Sequence, residues 1–231
     1  AVGVRFKDSF NAKSRAVTVR ADAIIGNAAI PLIKNMLPER QAKKLAKKTD
    51  HLKPACSLFS VYIGFKTEIK KLGNHHYSTF VVGENIKKLS DVKNNNQGDW
   101  KNKSFAFVDY SQIDADLAPK GKSVGVICAA DYLSEWKDLK AFAYKNRKEK
   151  IARILINRLE KVIPGIKNEI EYYEVGTAKP VQRYTLNPEG TAYGYAQTPK
   201  QSGMGRVPIK STVKNLYFAG AWRGFFLFFW V

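Results

Sequence analysis

Two kinds of hydrophobic spacing divide the chain into strands and helices. In residues 16–25, apolar and polar side chains alternate, which predicts a strand that a polar turn joins to a first strand at Gly3–Phe6. Aromatic and branched residues predict further strands at residues 57–65, 104–110, 123–129, 169–175 and 215–220.

Helical spacing occurs in two other segments. Residues 31–48 begin with a proline and end in basic residues, which suits the two ends of a helix. Residues 134–162 carry an apolar stripe at helical spacing, with Ser134 as the predicted cap and Pro164 after the end. Strands arranged around two helices predict an α+β fold, with a mixed sheet flanked by helices.

Aromatic residues gather in a segment with little regular pattern. Gly, Pro and Tyr dominate from the end of the strand at 169–175 to Pro208, and we interpret this segment as irregular. The tyrosines in and just before it are Tyr172, Tyr173, Tyr184, Tyr193 and Tyr195. They could line a channel for a flat conjugated ligand, or they could be ordinary sheet and core residues. The pattern alone leaves both readings open.

The composition adds a strong positive charge. The 231 residues include 39 basic and 20 acidic side chains, a formal net charge of +19, which favours polyanions such as nucleic acid or anionic lipid. Lysines outnumber arginines, so diffuse electrostatic attraction is favoured over specific base recognition, and nucleic acid is disfavoured as a partner. The chain has no apolar stretch of membrane-spanning length and no signal-like start, so we expect a cytoplasmic protein.

The residues most often used in catalysis form no clear motif. Cys56 and Cys128 lie in apolar, strand-like runs, which predicts buried free thiols. His75 and His76 would point to opposite sides of an extended chain, so no metal site is predicted. No G-x-S-x-G elbow occurs, which disfavours a hydrolase.

A small glycine cluster also has an ordinary explanation. It consists of Gly203, Met204 and Gly205 and is followed by Arg206. A phosphate-binding loop requires such glycines between a strand and a helix, whereas here Pro208 follows and no helical pattern begins. We therefore interpret the cluster as loop geometry.

Three segments carry a resemblance to a known family. They are RADAIIGNA at residues 20–28, DADLAPKGKSVGVICAADYLSEW at 114–136, and GTAYGYAQTPKQSGMGRVPIKSTVKNLYFAGAW at 190–222. In this order and spacing they resemble phytoene desaturases, carotenoid isomerases and retinol saturases, which belong to the FAD-dependent amine-oxidase-like superfamily. The resemblance runs from Gly3 to about Trp222, and the isomerase and saturase branch is the most similar.

The resemblance implies a division of the chain into three parts. Residues 1–29 would be strands of a Rossmann-like FAD-binding domain, residues 30–209 a substrate-binding domain, and residues 210–231 the last FAD-domain strand with an atypical apolar end. The residues that it places at the cofactor are Asn27, Ala28, Gly220, Ala221 and Trp222. For the substrate it suggests Tyr193 and Tyr195, and it assigns no catalytic residue.

The function implied is an FAD-dependent desaturation, saturation or isomerisation of a carotenoid- or retinoid-like polyene. The family's G-x-G-x-x-G segment is absent from this sequence, so the expected partners include a missing amino-terminal half. An anionic membrane surface is a further expected partner, with the protein peripheral to the membrane. Two alternatives remain: a non-enzymatic basic module that binds nucleic acid or anionic surfaces, and a redox-inactive fragment that only assists folding or assembly.

Overall fold

The computed structural model describes residues 1–223, except for residues 9, 11, 12, 14 and 97. The chain forms two compact units, Ala1–Ala55 with Leu186–Val231, and Cys56–Thr185. These units divide the chain at points other than the predicted domain boundaries, and the functional roles predicted for 1–29, 30–209 and 210–231 stay predictions. The predicted apolar end lies, from residue 224 onward, outside the described residues.

The described residues contain both strands and helices. The strands are β1 (Gly3–Phe6), β2 (Val17–Arg20), β3 (Ile24–Gly26), β4 (Ser57–Phe65), β5 (Ser78–Val81), β6 (Phe105–Asp109), β7 (Ser123–Asp131), β8 (Ile170–Gly176) and β9 (Leu216–Phe218). The α-helices are α1 (Ile30–Asn35), α2 (Glu39–Thr49), α3 (Ala141–Glu160) and α4 (Ala178–Thr185). The predicted α+β class is confirmed.

Two small sheets and two short helices make up the first unit. Strands β1 and β2 form an antiparallel hairpin, whereas β3 and β9 pair in parallel. The core of this unit contains residues from α1, α2 and β9, namely Ala29, Ile30, Ile33, Leu45, Tyr195, Val207, Val213, Leu216, Phe218 and Trp222. Burial of these side chains holds the helices against the parallel pair.

Two predicted elements of the first unit are each divided in the structure. The predicted helix at 31–48 is two helices, because Pro38 has no backbone N–H to continue the first and instead precedes the first residue of α2. The predicted strand at 16–25 is two strands, β2 and β3, because its halves pair with different partners, β1 and β9.

A five-stranded sheet forms the centre of the second unit. Its strand order is β5-β6-β7-β4-β8, and every neighbouring pair is antiparallel. A mixed sheet was predicted for the substrate-binding domain, but this five-stranded sheet is antiparallel throughout. The parallel pair among the described residues is β3 with β9, in the first unit. One face of this sheet packs against α3, and that core includes Phe59, Val61, Ile63, Phe65, Phe107, Ile127, Ile151, Leu155 and Leu159.

A buried carboxylate joins three segments of the second unit. Asp131, at the end of β7, has no exposed surface. Its Oδ1 accepts a hydrogen bond of 2.8 Å from the indole Nε1 of Trp136, and its Oδ2 accepts one of 2.9 Å from the backbone N–H of Ala178. The same carboxylate therefore fixes the chain before α3 and the first residue of α4.

This contact explains why the predicted helix at 134–162 begins later, at Ala141. Trp136 is fully buried, bonded to Asp131 and stacked on Phe59 with ring centroids 6.0 Å apart. Ser134 lies in a short 3-10 turn and caps no α-helix. The apolar stripe predicted for residues 134–162 includes Trp136, because spacing alone does not distinguish a residue within a helix from a buried residue that precedes the helix.

Two short elements do not follow from the sequence pattern. Helix α4 lies in the segment interpreted as irregular, and β5 is only four residues long. The amino end of α4 is held by Asp131, and β5 is held by its register with β6. Contacts with residues distant along the chain form both elements, so local periodicity carries little signal for them.

A substitution at Asp131 tests this buried junction. Burial raises the pKa of the Asp131 carboxyl above its ordinary value, while the bonds from Trp136 and Ala178 and the charge of Lys103 act in the opposite direction. The folded state therefore holds this proton at pH values where the unfolded chain has lost it. As a result, the contribution of Asp131 to the free energy of unfolding falls as pH rises from about 4 to the raised value.

We expect Asp131→Asn to lower the free energy of unfolding by about 1–3 kcal/mol at mildly acidic pH, because one of the two donors loses its acceptor. The deficit should shrink as pH rises, because the amide has no charge to bury. Urea unfolding of both proteins across this pH range measures the difference. Parallel curves, or a deficit that grows with pH, would contradict this account.

Candidate functional site

Parallel pairing brings two distant segments of the first unit together. Ile24 pairs with Leu216 and Gly26 with Phe218, so both strands end at the same edge. The backbone N–H of Ala219 extends the pairing with a 3.0 Å hydrogen bond to the carbonyl oxygen of Gly26. The residues that follow the two strands include all five predicted for the cofactor, Asn27, Ala28, Gly220, Ala221 and Trp222. We call these residues the carboxyl edge.

The two sides of the carboxyl edge are in close contact. Gly220 has a left-handed backbone with φ of 76°, and a Cβ at this position would overlap Oδ1 of Asn27. A glycine is therefore favoured here by conformation, and a larger residue would also force the exposed side chain of Asn27 to move. No hydrogen bond within the described part of the chain uses the backbone N–H groups of Gly220 and Ala221. These amides are suited to donate to a polar group of a ligand.

Aromatic packing fixes the outer residue of the edge. Trp222 is 5% exposed, and its Nε1 donates a 3.3 Å hydrogen bond to Oδ1 of Asn187. Its ring meets Tyr195 edge to face, with centroids 4.9 Å apart and planes at 85°. Burial of the phenol raises the pKa of Tyr195 to about 12, so this residue stays protonated and is a poor general base.

Tyr193 and Tyr195 both approach the carboxyl edge through the glycine between them. A Cβ on Gly194 would lie 2.7 Å from the carbonyl oxygen of Ala221 and 2.8 Å from the Cα of Trp222. Tyr195 belongs to the core, whereas Tyr193 is partly exposed. Contact of either tyrosine with a substrate stays a prediction. Gly194 was missed by the sequence reasoning, and its place between two tyrosines was the available signal.

An apolar hollow of about 590 Å³ extends along the same strands. Its lining residues are Ala23, Ile25, Ile209, Tyr217, Phe218, Ala219 and Arg223. Ile25 is 72% exposed, so this part of the parallel pair carries apolar surface that the described residues do not cover. Ala219 and Arg223 connect the hollow with the carboxyl edge.

The second unit places aromatic and small residues on the sheet face opposite its core. Tyr62, Phe80 and Tyr172 are exposed there, and Ser60 lies opposite Cys128 with 3.9 Å between Oγ and Sγ. Tyr172 and Tyr173 both lie in β8 and are therefore sheet residues, one of the two readings that the sequence left open.

The two cysteines show no activation. Neither Cys56 nor Cys128 forms a disulfide within the described residues, and both are partly buried, whereas buried thiols were predicted. Burial nevertheless raises the pKa of Cys56 and of Cys128, which disfavours the reactive thiolate. Among the described residues, no group of three or more His, Cys, Asp or Glu side chains is arranged to hold a metal ion.

Small residues and unused amides after two parallel strands are typical of proteins that bind a dinucleotide cofactor at the carboxyl edge of a sheet. A family model described as flavin containing amine oxidoreductase matches residues 2–226 of this chain. The chain therefore belongs to the flavin-containing amine oxidoreductase family.

Individual relatives refine the comparison. A chloroplastic prolycopene isomerase of Arabidopsis thaliana is 28% identical over 235 residues, a match that covers 95% of this chain and 35% of that protein. An all-trans-retinol 13,14-reductase of Danio rerio is 29% identical over 223 residues, covering 88% of this chain and 37% of that protein. These results confirm the resemblance to carotenoid isomerases and retinol saturases. The chain spans about a third of the length of these relatives.

A solved structure was also found. It is the crystal structure of an oxidoreductase from Methanosarcina mazei, with a TM-score of 0.49 and 15% sequence identity. The match covers 96% of this chain and 43% of that chain.

The contact between Gly220 and Asn27 can be tested with a matched pair of variants. Gly203 also has a positive φ, of 53°, but a Cβ there meets no atom within 4 Å. Gly203→Ala should therefore cost only the backbone strain, about 1 kcal/mol, whereas Gly220→Ala should cost somewhat more, because the exposed side chain of Asn27 must also move aside. Chemical denaturation of both variants gives the comparison.

A second substitution isolates the contact itself. Asn27→Ala in the Gly220→Ala background removes the overlapping oxygen and should recover much of the difference, as a double-mutant cycle would show. Equal costs for Gly203→Ala and Gly220→Ala would show that the close approach does not restrict residue 220.

Proposed function

We propose that this chain is the carboxy-terminal part of an FAD-dependent oxidoreductase that acts on a carotenoid- or retinoid-like polyene as a desaturase, saturase or isomerase. The observation that carries the proposal is the carboxyl edge, where parallel pairing unites Asn27 and Ala28 with Gly220, Ala221 and Trp222. The family match supports a flavin as the cofactor. The names of the two relatives support a polyene as the substrate.

The residues of the carboxyl edge are suited to hold the flavin cofactor. Gly220 has no side chain, so the backbone can approach a flat ring closely, and the unused amides of Gly220 and Ala221 can donate to its polar atoms. Tyr195 and Asn187 fix the indole of Trp222, which limits movement of this part of the edge. When bound, the flavin would supply the exchange of hydride equivalents with a carbon–carbon bond.

The protein itself would then orient the substrate and exclude water. An apolar polyene requires apolar walls, and the hollow along β3 and β9 together with the partly exposed ring of Tyr193 provides such surface in the first unit. The exposed aromatic side chains of the second unit, Tyr62, Phe80 and Tyr172, provide more. The proposal assigns the role of acid or base to none of the described side chains.

Binding of FAD by the purified chain is the first test. We expect saturable quenching of flavin fluorescence and a shifted visible absorption band, with weaker binding in Gly220→Ala than in Gly203→Ala because only the first substitution falls at the carboxyl edge. An unchanged spectrum with the wild-type chain would count against flavin binding by this chain. Binding of nucleic acid that weakens steeply with salt, in the absence of any flavin response, would support the basic binding module instead.

Docking on an anionic membrane is a further part of the proposal. The net charge of +19 is the supporting observation, and Lys44, Lys47 and Lys48 are exposed together on α2. The described helices include none with the length and apolarity needed to cross a bilayer. A polyene is apolar and therefore partitions into membranes. An enzyme that reaches it from the lipid surface needs peripheral attachment.

Co-sedimentation with vesicles tests this attachment. We expect binding to vesicles that contain anionic lipid, weak binding to zwitterionic vesicles, and loss of the difference at high salt, because each basic residue near the surface contributes about 1 kcal/mol. Replacement of Lys44, Lys47 and Lys48 by Gln should lower the binding severalfold. Equal binding to both kinds of vesicle at low salt would remove this part of the proposal.

A further inference from the structure

Arg206 is half-buried, and two nitrogen atoms of its guanidinium group have no hydrogen-bond partner among the described residues. Its Nε and Nη1 atoms are buried, and neither donates a hydrogen bond to any described atom. The described ion pairs do not include it. Burial lowers the pKa of Arg206, and no nearby charge opposes this effect. Residues 9, 11, 12, 14, 97 and 224–231, which the structure does not describe, include no Asp or Glu.

Such an arrangement is costly. Each buried polar atom without a partner costs about 1–3 kcal/mol, more in a charged group, and an arginine does not escape the cost by losing its proton. A buried guanidinium is therefore normally found opposite a carboxylate, a phosphate or another strong acceptor.

The chain direction places Arg206 near the carboxyl edge. The segment before β9 runs antiparallel to it, with Lys210 opposite Tyr217 and a 2.7 Å hydrogen bond from the N–H of Phe218 to the carbonyl oxygen of Ile209. Val207, the residue after Arg206, belongs to the same hydrophobic cluster as Trp222. The backbone of Arg206 thus belongs to the same part of the first unit as the unused amides of Gly220 and Ala221.

We propose that Arg206 is an anion-binding residue at the carboxyl edge and that it binds a phosphate group of the dinucleotide cofactor. The planar guanidinium offers two parallel N–H donors to phosphate oxygens, which explains why an arginine suits this position better than a lysine. The identity of the ligand as a dinucleotide rests on the proposed function. The anion site itself rests on the unpartnered guanidinium, and inorganic pyrophosphate presents the same chemistry.

Titrations with FAD and with riboflavin, which lacks the phosphates, separate Arg206 from the flavin ring. We expect Arg206→Met to weaken FAD binding about 10- to 100-fold, as loss of a charged hydrogen bond predicts, and to leave riboflavin binding unchanged. Arg206→Lys should give an intermediate loss. Arg40→Met, which alters an exposed arginine of α2, is the matched control and should bind both ligands as the wild type does.

Thermal unfolding gives a readout that does not depend on flavin. Without ligand, Arg206→Met should unfold at a higher temperature than the wild type, because it removes an uncompensated buried charge. Pyrophosphate should raise the unfolding temperature of the wild type and of Arg40→Met, but not that of Arg206→Met. A structural arginine would show the opposite, a destabilised variant that still responds to pyrophosphate.

The outcomes distinguish this inference from the proposed function. If FAD does not bind but the pyrophosphate response depends on Arg206, the anion site stands and flavin binding by this chain fails. If FAD binds equally well to Arg206→Met and the wild type, or if pyrophosphate acts equally on both, the assignment of Arg206 is wrong. Should Arg206→Met not fold, Arg206→Lys provides the same comparison with the charge retained.

Discussion

The parallel pairing of β3 with β9 is the contact on which the candidate site depends. It joins a strand near the start of the described chain to one near its end, and every residue of the carboxyl edge takes its place from it. Parallel strands have no tight turn between them, so the connection must pass through other structure. Here the whole second unit lies between the two strands in sequence. The first unit is therefore completed only when the chain segments before and after the second unit meet.

Close approach, more than any reactive side chain, characterises the carboxyl edge. Gly220 lies against the side chain of Asn27, and Gly194 lies against the backbone of Ala221 and Trp222. Tyr195, whose ring packs on Trp222, is held in its protonated form by burial. Such an arrangement suits a protein that positions a cofactor and leaves the chemistry to it.

The sequence predicted what local patterns control. Aromatic and branched residues located β4, β6, β7 and β8 to within two residues, because each of these strands has a half-buried or buried face. Residues 27–28 and 220–222 were grouped through the family resemblance, since no spacing in the sequence shows that β3 and β9 are neighbours. The start of α3, the whole of α4 and the role of Gly194 depend on contacts between distant residues, Asp131 with Ala178 and Gly194 with Ala221. Local pattern does not encode such contacts.

Arg206 is a second case in which packing shows a feature that the local sequence pattern does not. In the sequence it follows a glycine cluster that is correctly interpreted as a loop, since residues 203–205 form only a short 3-10 turn. The relevant feature is the state of its side chain, a buried charge without a partner, which only the packing reveals. Ile25 is a comparable apolar case. It is exposed, although strands in parallel sheets are normally covered on both faces. Both features belong to the small unit that holds the carboxyl edge, and both are complementary to groups that the described residues do not supply. We therefore interpret this site as one part of a binding surface. The unused amides and the guanidinium suit a polar or anionic group of a ligand, and the apolar hollow suits an apolar one.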